Sequence, residues 1–255
     1  MNATQLNRAA AAFAMVLAIG RPHVASAAEL RVLCSNGFQA VMQALVPQFE
    51  QATKHRVLAT YGVSADLKRQ VDAGESFDIA VLTPTLIDDA IRRGQIAGDS
   101  RMALARSPMA IAIRTGTTKA DIRTIEAFKR ALLGSKSITY AKEGATGVFF
   151  VDLVRRLGLE DALRSTMKPA TAGDDVSGAV VRGDAELGVL PVSEIISVRG
   201  LDVLGPFPAD VQGYVTMVGG VSSRSTQKQV ANELSRFLTS PASRSILEQK
   251  GMERP

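Results

Sequence analysis

The fold of this chain is decided by the stretch Leu30-Arg31-Val32-Leu33-Cys34-Ser35-Asn36-Gly37, near the N-terminus. Its apolar first part is typical of a short buried strand, and the polar residues that end it are typical of a helix start. Three more turns of this kind follow along the chain: Gly62-Val63-Ser64-Ala65-Asp66, Gly144-Ala145-Thr146-Gly147 and Gly173-Asp174-Asp175-Val176. A helix start presents unpaired N–H groups and the positive end of the helix dipole. Several starts that face one cleft would therefore bind an anion without Lys or Arg.

Around the first turn, short apolar strands alternate with amphipathic helices in the order βαβαβα. The pattern predicts strands at 30–33, 56–60 and 78–82 and helices at 38–52, 65–73 and 84–93. This order implies a parallel sheet that is covered by helices on both faces.

A second block of the same α/β kind begins near Pro108. The pattern predicts strands at 109–114, 137–140, 187–190, 201–204 and 214–218, and helices at 125–132, 147–157, 176–181, 227–238 and 240–250. We therefore predict one lobe from residues 28–107 plus 208–255 and a second lobe from residues 108–207. In such folds the ligand binds at the carboxyl ends of the strands, in the cleft between the two halves.

The first 27 residues have the pattern of a secretory signal peptide. Arg8 supplies a basic start, residues 9–20 are apolar, and Ala25-Ser26-Ala27 matches the A-x-A cleavage pattern. The apolar run is too short to span a bilayer comfortably. We expect a cleaved leader and export to the periplasm; the alternatives are a membrane anchor or a disordered tail.

Charge, cysteine and histidine content exclude several classes of function. The leader carries two of the 30 basic residues and no acidic one, so its removal lowers the net charge from +5 to +3. Such a small excess does not suggest nucleic acid or a membrane surface as a partner. The only cysteine, Cys34, ends an apolar strand and is expected to be a buried small residue. His55 is the only histidine of the mature chain and lies in a polar stretch that predicts a surface position. We expect neither a metal nor a cofactor.

Several segments carry a resemblance to a known family. They are the first turn, Val63-Ser64-Ala65-Asp66-Leu67-Lys68-Arg69-Gln70-Val71-Asp72-Ala73-Gly74, Phe77-Asp78-Ile79-Ala80-Val81-Leu82, the turn at 144–147, and residues 174–179 and 186–189. With them the chain resembles the molybdate-type periplasmic solute-binding proteins of ABC transporters over nearly its whole mature length. The resemblance implies a two-lobed Venus-flytrap fold, with two mostly parallel sheets, helices on both faces and two crossovers.

The resemblance also implies an oxyanion that is held by hydroxyl and backbone N–H groups. The first family serine falls on Gly37, so that hydroxyl is missing, and Ser35 or Asn36 could substitute for it only from a rearranged turn. Gly37 itself is expected to let a ligand approach the backbone closely. The second family serine matches Ser64, which is otherwise interpreted as a helix cap.

In the second lobe, the backbone donors of the family match Thr146 and Val176. A family tyrosine falls on Pro191, which has neither a hydroxyl nor an N–H group. Asp174 and Asp175 are expected to cap a helix rather than to act as catalytic acids. The loss of two contacts, at Gly37 and Pro191, argues against tight binding of a tetrahedral oxyanion.

A second, looser resemblance is to a branch of the same superfamily that includes aconitate isomerase. It rests on Glu186-Leu187-Gly188-Val189, Ser193-Glu194-Ile195-Ile196 and Gly205-Pro206-Phe207-Pro208-Ala209-Asp210-Val211-Gln212. The resemblance implies a 1,3-proton shift next to carboxylates, which needs a base. Glu143 or Lys142 would have to serve as that base, and Arg114 could pair with a substrate carboxylate; for all three the alternative is a solvated surface charge.

The sequence therefore predicts a monomeric periplasmic protein that captures a small anion, either an oxyanion such as molybdate or a small polycarboxylate. Its partners would be that anion and the permease of an ABC importer. The alternative is an isomerase of small tricarboxylates on the same fold.

Overall fold

The structure, a computed structural model, describes residues 27–255. The predicted leader lies outside the described residues, apart from Ala27. The strands are β1 (Glu29–Ser35), β2 (Arg56–Gly62), β3 (Ile79–Leu82), β4 (Met102–Arg114), β5 (Ile138–Ala141), β6 (Met167–Ala170), β7 (Leu187–Pro191), β8 (Leu201–Pro206) and β9 (Tyr214–Val221). The α-helices are α1 (Asn36–Thr53), α2 (Ser64–Asp72), α3 (Pro84–Arg92), α4 (Ile125–Gly134), α5 (Ala145–Arg156), α6 (Glu160–Leu163), α7 (Gly173–Arg182), α8 (Val192–Ile195), α9 (Lys228–Thr239) and α10 (Arg244–Gln249).

The strands pair in the order β2-β1-β3-β9-β4-β7-β5-β6, with β8 attached to β4. The pairs within β1, β2 and β3, and within β5, β6 and β7, are parallel. β4 joins the two groups, because residues 102–108 pair with β9 whereas residues 109–112 pair with β7. The chain crosses between the groups once in β4 and returns between β8 and β9. This is the predicted α/β arrangement with two crossovers, but the two predicted sheets are joined into one through the antiparallel strands β9 and β4.

Apolar side chains hold each strand group to its helices. One buried cluster lies beneath α2 and α3 and includes Leu67, Phe77 and Ile87. Another lies beneath α7 and α8 and includes Val176 and Ile195. A larger cluster runs through both groups along β4 and β9, so the two groups share part of one core.

Most predicted elements are present, with shifted ends. The structure adds β6, α6 and α8, which the sequence pattern did not predict, and β4 begins at Met102 rather than at residue 109. β6 is an edge strand whose Lys168 and Pro169 are exposed, so it lacks the apolar alternation that marks a strand. The predicted last helix is divided into a 3₁₀ turn at Pro241–Ser243 and α10.

His55 is buried, so its predicted surface position is wrong. Its Nδ1 accepts a hydrogen bond from the Ala28 N–H at 3.0 Å, and its Nε2 lies 3.8 Å from Glu233 Oε2. The ring packs near Phe49, with the two centroids 6.4 Å apart. Ala28 and Glu233 come from distant parts of the chain, which is why a polar local sequence gave no sign of burial.

Two structural features are absent from residues 27–255. Within this range no helix combines the length and apolar character that a bilayer span requires. The same residues contain no group of three or more His, Cys, Asp or Glu side chains placed to hold a metal ion.

Candidate functional site

The first part of the candidate site is a pair of serine hydroxyls at the ends of β1 and β2. These strands are parallel neighbours in which Ser35 pairs with Gly62, so their carboxyl ends lie side by side. The Ser64 hydroxyl donates to Ser35 Oγ at 2.8 Å, and both side chains are buried. Two hydroxyls carry two hydrogens and their mutual bond uses one, so the second hydrogen remains for a ligand.

Ser64 is the first residue of α2, and Val63 occupies the N-cap position. The interpretation of Ser64 as a helix cap is therefore wrong, because its hydroxyl bonds across to Ser35. The N–H groups of Asp66 and Leu67 donate instead to the Val63 carbonyl. The Ser64 side chain thus lies at the ends of β1 and β2, where the family resemblance implies a ligand.

Beside the hydroxyl pair, the start of α1 packs against a methionine. A Cβ atom on Gly37 would lie 2.8 Å from the Met217 Cε methyl and 3.8 Å from Ser35 Oγ. The place of the first family serine is thus taken by an apolar group of this chain. Asn36 is exposed at the same helix start. Thr83 lies at the end of the neighbouring strand β3, directly before α3, and the sequence analysis did not name it.

The second part of the site is the start of α5, which Gly147 holds against the end of β5. A Cβ on Gly147 would lie 1.9 Å from the Ala141 carbonyl oxygen, a distance that no side chain tolerates. Thr146, the predicted backbone donor, is buried in the same first turn. Its N–H is among those that an α-helix leaves without an intrahelical partner.

The third part is the start of α7. The Val176 N–H donates to the Ala172 carbonyl at 3.2 Å, so the amide that the resemblance assigns to the ligand is engaged within the helix. The amides that precede it, of Gly173 and Asp174, belong to the open first turn. Asp175 accepts a hydrogen bond from the Ala172 N–H at 3.1 Å, which is the predicted capping role.

A carboxyl group lies directly at this helix start. A Cβ on Gly173 would be 2.6 Å from Glu194 Oε2, so the glycine leaves room for the Glu194 carboxyl. Glu194 belongs to α8, which follows β7, and it is partly buried. Burial, with a smaller contribution from the negative charge of Asp174, raises the pKa of Glu194 to about 7. The sequence analysis did not single out this residue, although a carboxyl just after a buried strand was a signal that could have found it.

The remaining candidates lie in different surroundings. Lys142 and Glu143 are both exposed in the turn before α5. Arg114 is exposed, and its guanidinium lies beside Gly183, at the opposite end of α7 from Glu194. Cys34 is buried as predicted, and burial raises the pKa of its thiol. Lys142 and Glu143 are therefore near the start of α5, whereas Arg114 is remote from the starts of α5 and α7.

A groove lies beside the segments that join the two strand groups. Its volume is about 760 Å³, and its lining includes Pro108, Ile122, Phe207, Gln212 and Tyr214. The groove contains none of the predicted ligand residues.

Comparison with known proteins identifies relatives of two kinds. An aconitate isomerase from a Pseudomonas species is 28% identical over 230 residues, which cover 88% of this chain and 87% of the relative. The molybdate-binding protein ModA of Escherichia coli is 25% identical over 205 residues, covering 77% of this chain and 78% of the relative.

The fold also matches a solved structure, the periplasmic molybdate-binding protein of Azotobacter vinelandii. The TM-score is 0.73 at 18% identity, with coverage of 89% of this chain and 99% of that structure. At this identity the likeness concerns the fold alone, which is two-lobed. The family model described as bacterial extracellular solute-binding protein matches residues 30–253, and the chain belongs to that family.

Proposed function

We propose that this chain captures a small organic anion, such as a polycarboxylate, in a cleft between two lobes and delivers it to an ABC importer. The lobes would be residues 28–107 plus 208–255 and residues 108–207, because the pairing of β4 changes partner between Pro108 and Met109. Ser35 and Ser64 would bind the anion from one lobe. The starts of α5 and α7 would bind it from the other, through the amides near Thr146 and Gly173.

The observation that carries this proposal is the composition of the hydroxyl site. Ser35 and Ser64 form a buried hydroxyl pair, and no Lys or Arg occurs in the turns that contain them. A hydroxyl pair without a cation binds an anion through directed hydrogen bonds and helix starts. The buried Met217 methyl lies beside Gly37, so an apolar group stands where the molybdate-type family has a hydroxyl. Without that hydroxyl the site has fewer donors for the four oxygens of a tetrahedral oxyanion, whereas a carboxylate group presents only two oxygens.

The family and the relatives support the remaining parts of this proposal. The molybdate-binding relatives are the basis for proposing an importer, with a permease and its ATPase, as the partner. Membership of a family of extracellular solute-binding proteins supports a periplasmic location, and so does the predicted leader. We propose that the protein acts as a monomer.

Anion specificity is the first test. In isothermal titration calorimetry, we expect trans-aconitate or citrate to bind more tightly than molybdate, tungstate or sulfate, because two family contacts are missing at Gly37 and Pro191. Nanomolar affinity for molybdate, with weaker binding of every carboxylate, would refute the proposed ligand class.

The hydroxyl pair is tested by Ser64→Ala. The substitution removes one hydroxyl and leaves Ser35 without its partner, so we expect anion affinity to fall by about 1–2 kcal/mol, which is roughly tenfold. The control is Ser76→Ala, since Ser76 is exposed outside the site. Equal affinity of Ser64→Ala and wild type would exclude Ser64 from the site.

A second candidate function is isomerisation of a small tricarboxylate. It is favoured by the aconitate isomerase relative, whose match spans a larger share of this chain than the match to the molybdate-binding protein of Escherichia coli does. The reaction would move one proton from a saturated carbon to the far end of the adjacent double bond. The double bond shifts in the opposite direction, with no net oxidation. Lys142 and Glu143, in the turn before α5, are the groups available as a base from an open cleft.

Proton NMR of trans-aconitate with a catalytic amount of protein separates the two functions. Appearance of cis-aconitate above the protein-free rate would establish an enzyme, and Glu143→Gln and Lys142→Met would then identify the base. Binding without turnover would leave solute capture as the function.

A further inference from the structure

We propose that Glu194 couples anion binding to the uptake of one proton, because its neutral carboxyl donates a hydrogen bond to the ligand at the start of α7. The inference deepens the proposed solute-binding function and rests on it. Glu194 would then be a specificity-determining residue of the site.

The position of the Glu194 carboxyl is the main evidence. A Cβ atom on Gly173 would lie 2.6 Å from Glu194 Oε2. The Glu194 carboxyl therefore lies at the first residue of α7. An anion that accepts hydrogen bonds from the Gly173 or Asp174 amide must therefore lie next to it. Glu194 and the ligand would then share one small site.

Charge repulsion decides which form of Glu194 accepts the ligand. Two like charges at hydrogen-bond distance disfavour each other strongly, and burial increases the cost. An ionised Glu194 would repel an incoming carboxylate, whereas a neutral one offers it an O–H donor. The pKa of about 7 leaves both forms available near neutral pH.

Within residues 27–255, the charged groups around α8 supply no cation to the Glu194 carboxyl. α8 packs against β4, β7, β8 and α1, and it lies beside Gly251. Asp174, at the start of α7, is negative and opposes ionisation. β7 carries no charged side chain. The other charged groups on these elements are placed as follows: Arg106 pairs with Glu253, Arg114 lies beside Gly183, Arg182 pairs with Asp184, Asp202 accepts from Thr115, Glu50 accepts from the Val57 N–H, Asp175 caps α7, and Lys250 precedes Gly251.

The sign of the pH dependence follows from this arrangement. Below pH 7 the carboxyl is protonated before the ligand arrives, and the affinity is at its full value. Above pH 7 each binding event must also bind a proton, so affinity falls by about tenfold for each further pH unit.

The test is isothermal titration calorimetry with trans-aconitate at about pH 6 and about pH 8; citrate, whose third carboxyl itself titrates in this range, serves only to establish binding. Wild type is expected to bind about tenfold more weakly at the higher pH. It is also expected to take up a proton on binding, and the number of protons is obtained from the binding heats in two buffers of different ionisation enthalpy. Glu194→Gln keeps the shape and a permanent N–H donor, so it should bind equally at both pH values. Glu126→Gln, an exposed change on α4, should behave like wild type.

The outcomes separate this inference from the function on which it rests. Equal affinity of wild type at both pH values, or the same pH slope in Glu194→Gln, would overturn the coupling and leave anion capture intact. Failure of wild type to bind either carboxylate at either pH would overturn the proposed ligand class, and the coupling with it.

Discussion

Replacing Gly147 by alanine is expected to give the largest loss of anion binding among single substitutions in the site. The new Cβ would lie 1.9 Å from the Ala141 carbonyl oxygen, so the start of α5 must move away from β5 by more than 1 Å. That movement displaces the Thr146 amide from the ligand. We expect affinity to fall at least tenfold, and the free energy of unfolding to fall by about 1–3 kcal/mol.

Gly134→Ala is the matched control for this substitution. Gly134 ends α4, and a Cβ there would meet no atom within 4 Å. Its anion affinity should equal that of wild type, measured by calorimetry, and its stability in urea should be equal or slightly higher. If Gly147→Ala retained wild-type affinity, the start of α5 would not be part of the site.

Among substitutions of single hydrogen-bonding residues within 27–255, Asp78→Ala is expected to cause the largest loss of stability. Asp78 is buried; its Oδ2 accepts from the Arg31 N–H at 2.8 Å and its Oδ1 from the Ser225 hydroxyl at 2.6 Å. Alanine would leave the buried Ser225 hydroxyl without its acceptor, at about 1–3 kcal/mol, and the partly buried Arg31 N–H without its acceptor, at about 1 kcal/mol. Urea unfolding should show a total loss of roughly 2–4 kcal/mol.

Two further variants locate the cause of that loss. Asp78→Asn keeps the volume and one acceptor oxygen, so its stability should lie between wild type and Asp78→Ala. Asp99→Ala, at an exposed position, should change stability by no more than about 0.5 kcal/mol. A loss below 1 kcal/mol for Asp78→Ala would show that its hydrogen bonds are replaced by water.

Local sequence predicted the elements that alternate regularly. The strand before Ser35 and the helix after it follow from an apolar run and a 3.6-residue period, and both are present. The beginning of β4 was missed because Arg106, Ser107 and Pro108 interrupt its pattern. Pro108 is tolerated there since it lies where β4 changes from one neighbouring strand to another.

The candidate site was predictable in part. The strand-end hydroxyls of Ser35 and Ser64 could be named from their turns, but their mutual bond depends on the register of β1 and β2. Met217 and Glu194 enter the site from elements far along the chain; Met217 carries no local signal of this proximity, whereas the position of Glu194 just after a buried strand was a signal. The engaged amide of Val176 depends on where α7 begins, and helix ends are the least predictable part of a sequence pattern.

A crystal structure of the mature chain grown with trans-aconitate would test the central claim most directly. We predict a carboxylate of the ligand within about 2.7–3.2 Å of the Ser35 or Ser64 hydroxyl, with a second carboxylate at the start of α5 or α7. A ligand bound instead in the groove beside Pro108 and Phe207, with the hydroxyl pair empty, would contradict the proposed site.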